Sequence, residues 1–306
     1  MIKVRRIGHA TFETPDLPKL IDYHSHVTGL ALVERDQDHA FFAAKTGQVV
    51  IELRRAAQAR CAKLSFEVAA NEDFDDMARR LTGHGIKSER RSDSAPGISN
   101  VLAFTDPKGT TIELFKEWQS VGRGQDVTGI GALKLGHIAF CVDDPKPISD
   151  FYAKVLGFKV SDWIDDFFVF MRCNADHHTV NFITGPHGTM HHIAFELRDF
   201  SHIQNACDLF GQKDIKIVWG PVRLGPGHNV AAFTRNPDDQ VVEVYAELDQ
   251  MKDEELGYFD PRPWHKDHPQ RPKVWPRGEG SLYVWGPPPT PDFRRADASV
   301  RAQEKK

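Results

Sequence analysis

The chain has 306 residues, 40% of them hydrophobic and 27% charged, with a formal net charge of -4. That length suits about two domains, and the charge gives no broad positive field for nucleic acid or an anionic membrane. No run approaches the roughly 18 apolar residues of a membrane span. "MIKVRRIGHATF" enters a strand-like pattern without a signal-peptide core, so the cytoplasm is the expected location. Cys61, Cys141, Cys173 and Cys207 lie far apart without CxxC spacing, which argues against a disulfide framework or a thiolate zinc site. Buried reduced thiols are expected, and the basic spot "KSERR" is read as solvated surface.

In chain order, "RIGHATF" (6–12), "AKLSFEV" (62–68) and "AFTDPKGTTIELF" (103–115) are followed by three similar blocks. These are "KLGHIAF" (134–140), "HHIAFEL" (191–197) and "AFTRNPDDQVVEVY" (232–245). The separations are nearly constant: 128 from His9 to His137, 129 from Lys63 to His192 and 130 from Glu113 to Glu243. Three blocks in the same order at even spacing imply a duplicated domain.

Within the second copy, "LKLGHIAFCV" alternates as a strand, and "PKPISDFYAKVLG" has helical spacing of Ile148, Phe151, Tyr152 and Val155. Strand-like runs "FKVSDWI", "DFFVFMRC" and "HTVNFIT" follow. The order then repeats: "HHIAFEL", a helix through "FSHIQNACDLFG", and strands at "IKIVW", "HNVAAFTR" and "VVEVYAEL". The reading is α+β: four βαβββ modules in two domains, residues 1–128 and 129–250. Residues 251–306 form the remainder, and the stretch from 250 on holds nine of the nineteen prolines and three of the six tryptophans. Prolines at that density forbid long helices and inner strands, so an irregular tail packed over the second domain is expected, placed to act as a lid. Its end, "RRADASVRAQEKK", reads as a short polar helix or a frayed end.

Strand alternation separates the paired histidines. His191 goes with Ile193, Phe195 and Leu197, on the side expected to pack on helices, and His192 goes with Ala194 and Glu196 on the inner side. His137 shares the inner face with Ala139 and Cys141, and Glu243 interrupts a run of valines where a carboxylate needs a partner or a metal. Two histidines and one glutamate on neighbouring inner faces are the ingredients of a facial triad for a ferrous ion. The first copy keeps His9 and Glu113 but has Lys63 in place of His192, and an ammonium is no ligand for a dication. The first domain is therefore read as the same scaffold with a dead site.

Through "GHIAF", "HHT" (177–179), "MHHIAFEL", "GPVRLGPGHN" and "RNPDDQVVEVY", the chain resembles the two-domain extradiol catechol dioxygenases of the vicinal oxygen chelate superfamily, over residues 1 to about 290. The resemblance implies two tandem vicinal-oxygen-chelate domains, the metal ligands His137, His192 and Glu243, and His178 as acid/base. It also implies Fe(II), with Mn(II) as the alternative, a catechol and dioxygen as reactants, a ring-opened semialdehyde product and a homo-oligomer. His177 is expected to point away from His178, to the surface. Two family positions depart from the pattern, where Leu224 and Phe233 replace the usual histidine and tyrosine. His228, in "GPGHN", is a candidate for one of the lost contacts. Trp219, where relatives with acidic substrates can carry arginine, points to a neutral or aromatic ring substituent. Trp219, His228 and Phe233 are thus the candidate substrate contacts. A glyoxalase-type lyase or isomerase, which needs no dioxygen, is the alternative activity, and a non-enzymatic binding protein is the third reading.

Overall fold

The computed structural model describes residues 1–122, 128–260 and 273–294. They form two compact units: Met1–Gly136 with Phe151–Gly157 and Asn236–Asp239, and His137–Asp150 with Phe158–Arg235 and the chain from Gln240 on.

The first unit runs through β1 (Val4–Thr14), α1 (Leu17–Tyr23), a π-helical turn (His24–Thr28), β2 (Ala31–Arg35), β3 (His39–Ala43) and β4 (Val49–Arg55). It continues with β5 (Arg60–Val68), α2 (Phe74–Gly83), β6 (Ser88–Ala95), β7 (Ile98–Thr105) and β8 (Thr111–Phe115). Local chemistry starts both helices. Asp16 caps α1 by accepting from the Lys19 N–H at 3.2 Å, and Asp73 caps α2 by accepting from the Asp75 and Asp76 N–H groups at 3.0 Å. The eight strands make one sheet in the order β2-β3-β4-β1-β5-β8-β7-β6. β1 lies parallel to β4, β5 parallel to β8, and the antiparallel β1–β5 pair joins the two βαβββ modules.

The second unit has the same plan. The second sequence copy supplies β9 (Lys134–Val142), α3 (Pro145–Leu156), whose residues from Phe151 on belong to the first unit, β10 (Lys159–Ile164), β11 (Phe168–Arg172) and β12 (Val180–Thr184), then β13 (Met190–Glu196), α4 (Phe200–Gln212), β14 (Trp219–Leu224), β15 (Val230–Arg235) and β16 (Val241–Ala246). After them come β17 (Gln250–Asp253), β18 (Tyr258–Asp260), β19 (Val274–Trp275), α5 (Glu279–Leu282), β20 (Tyr283–Trp285) and α6 (Pro291–Arg294). Ten strands form one sheet in the order β19-β10-β11-β12-β9-β13-β16-β15-β14-β20. β9, β13 and β16 are therefore neighbours at its middle. The expected α+β plan of four βαβββ modules is present.

Some local expectations need correction. The strand expected at "IKIVW" instead starts at its last residue and runs through Gly220-Pro221, as β14. A register shift between Trp219 and Val222 accommodates a proline that has no N–H for the ladder. Cys173 and Cys207 are only partly buried, unlike Cys61 and Cys141. The tail is more regular than its prolines suggest, because β17 and β18 form a hairpin, β19 pairs with β10 and β20 with β14. The short polar helix or frayed end expected at "RRADASVRAQEKK" lies, beyond Arg294, outside the described residues, as does Trp264. Among the described residues no helix is long and apolar enough to cross a membrane.

Candidate metal centre

His137 on β9, His192 on β13 and Glu243 on β16 converge because their strands are adjacent and each side chain stands on the same face. Ala194 pairs with Glu243 in the β13–β16 register, so the smallest side chain of that strand face lies beside the carboxylate. His137 Nε2 is 3.2 Å from His192 Nε2 and 3.1 Å from Glu243 Oε2, and His192 Nε2 is 3.3 Å from the same oxygen. Donors bound to one ion at about 2.1 Å lie about 3.0 Å apart in an octahedral site and about 3.4 Å apart in a tetrahedral one. The observed triangle falls in that window. All three groups are buried, at 1%, 6% and 1% exposure. With its imidazoles neutral, this buried donor set can be shared by one cation, and it fits a divalent metal. Among the described residues this is the one such His/His/Glu group.

The surroundings of Glu243 and His192 suit coordination. Asn229 Nδ2 donates to Glu243 Oε1 at 2.8 Å, which leaves Oε2 for the site. Asn229 stands in the "GPGHN" motif, yet nothing local in the sequence signals its reach to Glu243, fourteen residues on. His192 Nδ1 is 2.7 Å from His191 Nδ1, and burial, followed by the neighbouring His191 and His137, holds the His192 pKa well below the ordinary histidine value. A neutral His192 that donates from Nδ1 keeps its Nε2 lone pair for a metal. His191 was expected among the helix-packing residues; it instead lines the site pocket, 6.0 Å from the Phe293 ring centroid. It lies ahead of the Ile193–Glu196 stretch that pairs with β16, so that ladder does not impose alternation on it.

His178 precedes β12, and its ring meets the His137 ring edge-on with centroids 4.2 Å apart. Burial first, then the nearby His137, His177 and His192, pushes its pKa well below the ordinary value. His177 is a second correction. It is fully buried, not at the surface, with Phe259 5.0 Å away and Nδ1 3.0 Å from His178 Nδ1.

The pocket in front of the triad is walled by aromatic rings. Trp219 and Phe233, two of the candidate contacts, stack at 5.0 Å with 17° between planes, and Phe293 of α6 closes against both. Leu224 lines the pocket as well, so both positions that depart from the family pattern present apolar surface. The third candidate, His228, is not among the lining residues. Its Nδ1 is 2.5 Å from Asp249 Oδ2, at a left-handed backbone position with φ of 51°.

The corresponding place in the first unit is closed. Lys63 Nζ sits 3.2 Å from both Glu113 Oε2 and Glu52 Oε2, and His9 Nε2 is 3.9 Å from Glu113 Oε2. Burial first, then the Lys63 ammonium, lowers the His9 pKa to about 3.

The sequence matches the Glyoxalase/Bleomycin resistance protein/Dioxygenase superfamily over residues 6–114 and again over 134–244. The chain belongs to that superfamily. Among similar proteins, biphenyl-2,3-diol 1,2-dioxygenase of Paraburkholderia xenovorans (strain LB400) is 24% identical over 296 residues, covering 90% of this chain and 95% of the relative. The Mn(II)-bound glyoxalase from Novosphingobium aromaticivorans superposes with a TM-score of 0.81 at 26% identity, over 96% of this chain and 94% of that one. A variant of homoprotocatechuate 2,3-dioxygenase from B. fuscum shares the fold with a TM-score of 0.80 at 23% identity, over 96% and 82% of the two chains.

Proposed function

We propose that this superfamily member is a metal-dependent extradiol dioxygenase that opens the ring of a catechol with a neutral or aromatic substituent. The carrying observation is the His137–His192–Glu243 triangle, with His178 against it and an aromatic-walled pocket in front. The similarity to biphenyl-2,3-diol 1,2-dioxygenase supports the same reading. Fe(II) is the proposed ion, because two histidines and one carboxylate with open positions suit non-haem ferrous oxygenases; the Mn(II)-bound relative makes Mn(II) the second choice. When bound, the ion would supply a Lewis acid and a template that gathers the two catechol oxygens and dioxygen.

The chain's own groups do the rest. Trp219 and Phe233 offer stacked flat faces that align an aromatic ring, and Leu224 and Phe293 keep water from the substituent end. His178, neutral and buried, is within the pocket to take or return a proton at its ring nitrogen. No cationic side chain lines the pocket among the described residues, which disfavours an acidic substituent.

Full-length protein reconstituted without air with Fe(II) or Mn(II) and given 3-substituted catechols should consume dioxygen and form yellow ring-opened product. His178→Ala should lower kcat by about 10²–10⁴-fold. His192→Ala should abolish both metal binding and turnover. The glyoxalase-type reading has the Mn(II)-bound relative in its favour. Turnover of a thiol-conjugated carbonyl without oxygen uptake, and none with catechols, would replace the proposal by that reading.

A further inference from the structure

His177 has no part in the metal triangle, yet it is among the most deeply buried polar residues of the second unit, and its two ring nitrogens face different partners. Nδ1 is 3.0 Å from His178 Nδ1. Nε2 is 3.3 Å from Asp162 Oδ2, which is 1% exposed. Nε2 makes no hydrogen bond among the described residues, and the Asp162 carboxylate is the charged group that lies beside it. Asp162 is held from the tail: Trp275 Nε1 donates to Oδ2 at 2.7 Å and the Lys273 backbone N–H donates to Oδ1 at 2.9 Å. Gly227, at φ +79°, leaves the room the two imidazoles need, since a Cβ there would lie 3.0 Å from His177 Nδ1 and 3.2 Å from His178 Cε1.

Proton placement along this row is constrained. Asp162 accepts on both oxygens, so it faces His177 as an acceptor, and the His177 proton belongs on Nε2. A ring with its one proton on Nε2 has only a lone pair on Nδ1, and His178 then donates to it from its own Nδ1. We infer that Asp162 and His177 form a positioning relay that fixes His178 with its proton on Nδ1 and presents the Nε2 lone pair to the pocket. With that tautomer His178 presents a hydrogen-bond acceptor at Nε2, rather than a donor, to a substrate hydroxyl. The same logic holds the imidazole in a hydrolase triad, where a buried aspartate sets the tautomer without itself being protonated. The identity of the hydroxyl rests on the ring-cleavage reading; the tautomer does not.

Long-range proton–nitrogen correlation spectra of full-length protein labelled with nitrogen-15 at histidine, metal-free and loaded with diamagnetic Zn(II), read the tautomers directly. His178 should carry its proton on Nδ1 and His177 on Nε2, with assignments made from His177→Leu and His178→Gln. Asp162→Asn should scramble both tautomers and lower kcat on catechols roughly 10–100-fold, with KM changed less than about twofold. His177→Gln, which keeps an acceptor for His178, should retain more activity than His177→Leu. A wild-type His178 protonated on Nε2, or a tautomer indifferent to Asp162→Asn, overturns the relay. If a variant does not fold, the wild-type spectrum alone decides. The stated tautomers in a protein that cleaves no catechol would leave the relay standing and remove the ring-cleavage reading.

Discussion

Lys63 and His192 stand at matching places in the duplicated sequence and solve one electrostatic problem in two ways. In the first unit an ammonium lies 3.2 Å from Glu52 and from Glu113, with Ser94 Oγ and Thr11 Oγ1 donating to these carboxylates. In the second, Glu243 faces the His137 and His192 imidazoles and the Asn229 amide instead. Lys63→Met should therefore cost stability out of proportion to its size, because two carboxylates at 3% and 5% exposure would face each other without a cation. A loss of about 3–5 kcal/mol in urea unfolding is expected. A loss under about 1 kcal/mol would mean the carboxylates find water or protons easily. Lys63 was legible as the residue that disables the first site, because the repeat aligned it with a histidine. Glu52 was not, since it belongs to a different strand, β4, with nothing in the repeat to mark it.

Strands with a buried face announced themselves by alternation, so β9, β13, β15 and β16 appear where the sequence places them, and with them His137, His192 and Glu243. Elements without a period stayed hidden. β14 was obscured by a Gly-Pro that normally marks a break, and β19 and β20, two and three residues long, carry no periodicity at all. The depth of His177 was hidden for a related reason: alternation predicts which way a side chain points, but Asp162 and Phe259 reach it from distant segments. The loop before β15 shows how tightly such segments close. Gly227→Ala would put a Cβ 2.9 Å from Leu248 Cδ1 and 3.0 Å from His177 Nδ1 at a backbone angle that L residues avoid. Thermal unfolding should show a loss of about 1–3 kcal/mol, with turnover falling as the two imidazoles are displaced.

For the molecule as a whole, buried neutral histidines set a lower limit on pH. His24, in the π-helical turn, is 3% exposed, and burial lowers its pKa to about 3. An unfolded histidine titrates near about 6.5, so below that value the unfolded chain binds protons that the folded one refuses, and stability falls from about pH 6.5 down to about pH 3. His24 alone should account for about 2 kcal/mol between pH 7 and pH 5. Urea melts at both values should show a smaller difference for His24→Gln than for the natural chain; equal differences would exclude His24 as a source. The two sheets also end differently. β6, the outer strand of the first, carries Glu89, Arg90, Arg91 and Asp93, charges that discourage another strand from adding to it. β10 and β14 would be the outer strands of the second, and "VSDWI" and "WGPVRL" offer far less such discouragement. β19 and β20 cover them instead. The proline-rich end of the chain thus pairs with both margins, and proteolytic loss of it would leave β10 and β14 as unpaired edges.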